Sequence, residues 1–471
     1  MLGVIQAAAL GVALLVWFSA CERRGDRHTV AVVVLALLAL EAVAGGDVAD
    51  LPRGLLRFGV FGLDLRPAEV AVLAGVASRL LATRELRSVT LPAVVWGAFL
   101  LWYATAGVVG VVNGAPTNVV LFQGKLLLDL GGALVVGAGL DLGRSGRWLR
   151  RNARSIAACM AVVFVFAFTR TTVPLDLPFQ RLPAFGRLGS DVLTLLAGVG
   201  AALLALGGVQ AGRRLPVGVA AVLLCAAPLA GGQRAAFVSA AAAVLTVAVA
   251  MAGDTARRRI RVTPTEVGVF LVGFLALSFA ALSITVSPTV VSDRVVKTFF
   301  EEVEERTAQA RVSLYDQATD LIRERPVMGW GLGVQVVVRM EFTGAERNVS
   351  AHNLVLDMWM RTGIAGVLLF GAGVTSAVVA GVRRWRDDPD DIAAAMALGL
   401  LATVLAVLAK AMVEPALEKY RLGIVLGLAM GALLARRTVA GTTVGGEATA
   451  DAAVGTTLGA GRDGGWLHGR R

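Results

Sequence analysis

Three side chains in this sequence have the type and setting to do chemistry. Arg234 stands in the stretch GGQRAAF, where the chain re-enters an apolar run, with two glycines before it and small residues after it. A guanidinium so placed can hold a phosphate through two parallel hydrogen bonds, or simply reach sideways to the polar edge of a membrane. Arg311 heads the apolar face of a predicted helix between Glu301 and Arg325, on which it is joined by Leu314, Tyr315, Ala318 and Ile322. It can serve a phosphate, or pair with the acidic run Glu301, Glu302, Glu304 and Glu305. His352 opens the segment AHNLVLDMWMRTGIAGVLLF. Its imidazole can accept a proton from a hydroxyl at ambient pH, or be an ordinary structural residue at a helix start.

The residues around His352 say what must position it. Upstream, RPVMGWGLG stops a helix at Pro326, because the residue before a proline is pushed out of the α region. Gly329, Gly331 and Gly333 then let backbone come close to something bulky. Downstream, helical spacing from His352 and Asn353 stacks His352, Leu356, Trp359, Gly363 and Gly366 on one face, which predicts a glycine-lined seam below the histidine. Asn353, Asp357 and Arg361 form a second stripe, in which Asp357 and Arg361 can pair as a structural couple.

The composition decides where these elements sit. The chain has 471 residues, is 56% hydrophobic and has a mean hydropathy of +0.72, which excludes an ordinary soluble multidomain protein. The reading is an all-α, polytopic membrane helix bundle of about 12–13 transmembrane helices, with one large extracytoplasmic helical loop. Candidate spans lie near 2–20, 29–45, 67–83, 90–111, 117–140, 154–172, 191–211, 215–232, 235–252, 266–287, 358–382, 391–413 and 420–435. The first has no positive segment before it and reads as a membrane helix rather than a signal peptide. Arg79 interrupts the third, and Lys125 and Asp129, four apart, interrupt the fifth as a pair that can neutralise itself. This divides the chain into an N-terminal bundle at 1–287, an outer loop at 288–352, C-terminal helices at 353–438 and a Gly/Thr/Ala-rich tail at 439–471 that cannot bury enough surface to order itself.

The net charge of +11 does not point to nucleic acid, because the arginines recur in short loops between apolar runs. Lys and Arg in alternate short loops stand roughly two to one, so the richer set faces the cytoplasm, and the N-terminus and the 288–352 loop face outward. Arg234, Arg311 and His352 then share the outer face. The three cysteines, Cys21, Cys159 and Cys225, are widely spaced and suggest neither a disulfide framework nor a metal site. With no clustered His/Cys/Asp set in the sequence, no metal and no cofactor is expected.

The turn P-x-x-G-x-G-x-G at Pro326–Gly333, followed by H-N-x-x-L at His352–Leu356 and glycines eleven and fourteen residues past the histidine, resembles the O-antigen ligase and O-antigen polymerase superfamily of bacterial membrane glycosyltransferases. One departure is Arg361, where members often carry glutamate. The resemblance implies that Arg234 and Arg311 bind the diphosphate of an undecaprenyl diphosphate donor and that His352 assists the incoming sugar hydroxyl. It also implies partners: a polyprenyl diphosphate-linked glycan, an envelope glycan or lipid acceptor, and the membrane lipids of the cytoplasmic membrane. An anomeric carbon activated by diphosphate leaves the protein two tasks, to stabilise the departing charge and to aim the nucleophile. Ligase and polymerase differ only in acceptor. A transporter or flippase remains the alternative from another class, but it is expected to place its special residues near the midplane rather than at one face.

Overall fold

The computed structural model describes residues 2–45, 58–60, 63–82, 90–169, 190–207, 214–230, 234–253, 307–339 and 346–435. Within them run α1 (Leu2–Arg23), α2 (Arg27–Gly45), α3 (Pro67–Ala82), α4 (Leu91–Val112), α5 (Thr117–Gly137), α6 (Leu142–Arg151) and α7 (Ala153–Thr169). They continue with α8 (Ser190–Gly207), α9 (Arg214–Ala230), α10 (Arg234–Gly253), α11 (Thr307–Glu324), α12 (Leu354–Asp387), α13 (Asp391–Ala411) and α14 (Tyr420–Leu434). Two short antiparallel hairpins complete the set, β1 (Phe58–Val60) with β2 (Leu63–Leu65) and β3 (Val336–Arg339) with β4 (Glu346–Val349). This is an all-α polytopic membrane bundle. Helices match twelve of the thirteen expected spans; the span at 266–287, the 287/288 domain boundary and the tail after residue 435 lie outside the described residues.

Among the described residues five helices, α1, α4, α5, α12 and α13, are long and apolar enough to cross a membrane by length and composition, and five shorter apolar helices stand with them. The burial of α13 explains the centre of the bundle. In its apolar window 72% of residues are buried, against 17% in α1, and its face is built from Ala394, Ala395, Ala397, Ala402 and Ala406. Small side chains let helix backbones approach closely where lipid offers no hydrophobic advantage, so α8, α10 and α12 all pack on α13.

Polar contacts show which helix ends meet. Tyr420 at the start of α14 donates to Glu41 near the end of α2 at 2.6 Å, and Ala68 N at the start of α3 donates to the same carboxylate at 2.7 Å. Arg421 pairs with Asp191 at the start of α8 at 2.7 Å, and Thr194 shares a hydrogen bond with Ser239 in the second turn of α10. The opposite end carries the short amphipathic α6, whose Arg144 and Arg147 pair with Asp26 and Asp390, each at 3.1 Å.

The expected Lys125–Asp129 couple is corrected. Lys125 makes its ion pair with Glu69 of α3 at 2.6 Å and donates to the Asp64 carbonyl at 2.8 Å. The reason is local geometry: α5 widens into a π turn over Leu127–Gly132, which breaks the four-residue register on which that pairing relied. Arg79 does not disrupt α3, since its guanidinium donates to the Val135 carbonyl of α5 at 2.6 Å.

Candidate functional site

The glycine turn forms as the sequence predicts, but what it approaches is protein backbone. Helix α11 ends at Glu324, and Gly329, Gly331 and Gly333 take φ of 70°, 92° and 92°. Helix α12 is broken opposite them at Gly363, with φ 67° and ψ −178°. A break frees carbonyls that must find donors elsewhere. The Met360 carbonyl accepts from Trp330 N at 2.9 Å, that of Arg361 from Gly331 N at 3.0 Å, and that of Thr362 from the Trp102 indole at 2.8 Å. In return Ile364 N donates to the Pro326 carbonyl at 2.9 Å, and Leu332 N to the Ala106 carbonyl of α4 at 2.8 Å. A β-carbon on Gly331 would lie 2.5 Å from the Gly110 Cα, so the turn and α4 touch backbone to backbone. The expected seam below His352 is therefore corrected: Gly363 interrupts the face, while Gly366 faces the Thr362 side chain and Trp102.

His352 itself lies before the helix, not in it. Asn353 is the N-cap of α12; its Oδ1 accepts from Val355 N at 3.0 Å and Leu356 N at 3.2 Å, and its amide donates to the Met412 carbonyl at 3.3 Å. His352 is left in the left-handed region at φ 55°, the one described residue other than glycine found there. Histidine tolerates that conformation better than most side chains, yet it still costs about 1 kcal/mol, and such strain gathers at functional sites. Its Nδ1 lies 2.8 Å from the Ser350 carbonyl. A carbonyl there demands a proton on Nδ1, which leaves Nε2 of the neutral ring as an acceptor.

The turn is tied to a polar cavity of about 520 Å³ at the end of the bundle where α3, α5, α12 and α14 begin and α13 ends. Asp357 is the tie: it lines the cavity, accepts from Ala351 N at 2.8 Å and pairs with Arg361 at 3.6 Å. Arg361, 6% exposed, also reaches Glu418 at 2.7 Å. The Asp357–Arg361 couple expected from spacing is thus present, within a three-residue network. Asp64, Asp129, Asp357, Glu414 and Glu418 contribute carboxylates to the wall, against Arg66, Lys125 and Arg361 as cations. Burial alone would raise the Glu414 carboxyl, but the hydrogen bond from Lys419 and the charge of Lys410 hold it below the usual carboxylate range. Gln123, also in the wall, accepts from Gly333 N at 2.7 Å and so joins the glycine turn to the cavity.

Arg234 is the first residue of α10, at the helix end that shares the Thr194–Ser239 contact. Arg311 lies in the second turn of α11, whose Leu314, Ala318 and Ile322 are buried against Val336, Ala351 and Met360 as the predicted face requires. The side chains of both arginines lie outside the described residues. Glu418 in the cavity wall and Glu69 behind it were not legible as partners, because the residues they meet are 57 and 56 positions away. The charged Lys125 and Asp129 within an apolar run were the available signal.

The fold and site define a multi-pass, all-α membrane protein with a polar cavity and a strained histidine at one end of the bundle. Residues 219–371, about a third of the chain, match the family model described as O-Antigen ligase. The match contains Arg234, Arg311, the glycine turn and His352, and supports the resemblance to the O-antigen ligase and polymerase superfamily. No curated protein matches it.

Proposed function

We propose that this protein is an O-antigen ligase-like glycosyltransferase. It moves a glycan from polyprenyl diphosphate to a cell-envelope acceptor on the outer face of the cytoplasmic membrane. The observation that carries the reading is His352, held in a left-handed backbone with Nδ1 committed to the Ser350 carbonyl, inside the segment that matches the family. In the step, an acceptor hydroxyl oxygen forms a bond to the anomeric carbon while the bond from that carbon to the diphosphate oxygen breaks. The lipid diphosphate leaves with the electron pair, and the hydroxyl proton passes to His352 Nε2. Arg234 and Arg311 take the charge that develops on the leaving diphosphate.

The test is release of free lipid diphosphate by the purified protein from a polyprenyl diphosphate glycan. His352→Asn is the informative variant, since asparagine accepts the left-handed conformation but supplies no base. Glycan transfer is expected to fall by ~10²- to 10⁴-fold with donor affinity unchanged on the same preparation. Transfer at nearly the parent rate would assign His352 to structure alone.

A further inference from the structure

We propose that the cavity beside His352 is a sugar subsite, which holds an uncharged, hydroxyl-rich ring and not the diphosphate. The inference rests on the glycosyltransferase reading above. Its basis is the state of the polar atoms in the wall. Asp129 is 3% exposed, lies in the π turn of α5, and its Oδ1 has no hydrogen-bond partner. Arg361 is likewise buried, and its Nε is unpartnered. A buried carboxylate oxygen without a donor is costly, and a hydroxyl is the group that can donate to it while accepting from a nearby N–H.

The charge balance argues against a diphosphate. The wall has five carboxylates and three cations, and the cations are already engaged. Lys125 meets Glu69 and the Asp64 carbonyl, Arg361 meets Asp357 and Glu418, and the Arg66 guanidinium lies 5.6 Å from the Tyr420 ring centre. A polyanion would have to displace those pairs and sit among the remaining carboxylates. An uncharged sugar meets the same wall without that penalty. At about 520 Å³ the cavity is within the size range of small-ligand sites, and the two tyrosines in the wall, Tyr103 and Tyr420, add ring surface. Its position is also suited to the reaction, because Asp357 both lines it and fixes, through Ala351 N, the turn that carries His352.

Two sources can present such a ring, the acceptor or the first sugar of the donor glycan, and the experiment separates them. Asn118 is exposed at the cavity wall. Full-length Asn118→Cys, with Cys21, Cys159 and Cys225 replaced by alanine, is labelled with a maleimide in the presence of methyl glucoside, methyl N-acetylglucosaminide or undecaprenyl diphosphate. The methyl sugars are expected to slow labelling, and undecaprenyl diphosphate to leave it unchanged. Protection by undecaprenyl diphosphate, with or without protection by the sugars, overturns the proposal, as does protection by neither. In steady-state transfer, Asp129→Asn is expected to raise one KM by about 10-fold, the loss of one charged hydrogen bond. A rise in acceptor KM assigns the ring to the acceptor, a rise in donor KM assigns it to the donor glycan, and no change in either overturns the subsite. The labelling result does not depend on turnover, so a parent protein that releases no lipid diphosphate would refute the transferase reading separately.

Discussion

Among the described residues two membrane helices, α5 and α12, depart from α geometry, and they do so to opposite effect. In α12 the break at Gly363 frees the carbonyls of Met360, Arg361 and Thr362, and Trp330 N, Gly331 N and the Trp102 indole satisfy all three. In α5 the π turn at Leu127–Gly132 brings Asp129 against Glu69, whose Oε1 meets Lys125 at 2.6 Å, and leaves the buried Asp129 Oδ1 with no hydrogen-bond donor. A closed set of hydrogen bonds makes a scaffold, whereas an open one makes a place for a ligand. The glycine motif, which reads as the approach to a bulky group, is therefore the frame, and the unmet polarity lies one helix away.

The largest effect that can break this comparison is on the closed side. A β-carbon at Gly363 would run into the Val327 carbonyl, and the residue's φ of 67° and ψ of −178° is a backbone region reserved for glycine. Gly363→Ala is expected to destabilise the folded protein by ~3 kcal/mol or more, from strain and overpacking together. A thermal melt of the purified variant checks it, and an unchanged Tm would mean that the break is not held by the turn.

On the open side the sign reverses. Asp129→Asn removes a buried carboxylate that lacks a donor and supplies an amide able to donate to Glu69. Stability is expected to be unchanged or raised by ~1 kcal/mol, even as sugar handling worsens. A Tm depressed as far as that of Gly363→Ala would place Asp129 in the scaffold and erase the distinction.

Much of the frame was legible because it follows local rules. Pro326 and the three glycines announce the turn, the spacing of Leu314, Ala318 and Ile322 announces the buried face of α11, and the apolar runs announce the helices. Spacing also gave the Asp357–Arg361 couple. It failed where a partner is remote or the helix leaves its period. Lys125 is paired with a residue 56 positions upstream, the π turn shifts register without a sequence mark, and nothing local shows that Gly363 would break the helix or that the N-cap at Asn353 would leave His352 outside it. The cavity was illegible for the same reason, since it is assembled from the ends of five helices.

The smallest effect sharpens the boundary between the two regions, because Glu414 belongs to the cavity wall yet is fully partnered. It pairs with Lys410 at 3.1 Å and with Lys419, and these cations outweigh burial and keep its carboxyl below the usual range. A carboxyl lowered on folding contributes stability above its unfolded value, near ~4.3, and that contribution is lost as pH falls through the lowered folded value. Glu414→Gln keeps an oxygen for Lys410 but removes the charge, so it is expected to cost about 1 kcal/mol or less at neutral pH. Melts of parent and variant across an acid titration should show the difference narrowing as the parent's own Glu414 takes up its proton. A difference that stays constant into acid would mean that shape rather than charge holds this residue, and a variant more stable than the parent at neutral pH would group Glu414 with Asp129 among the groups awaiting a ligand.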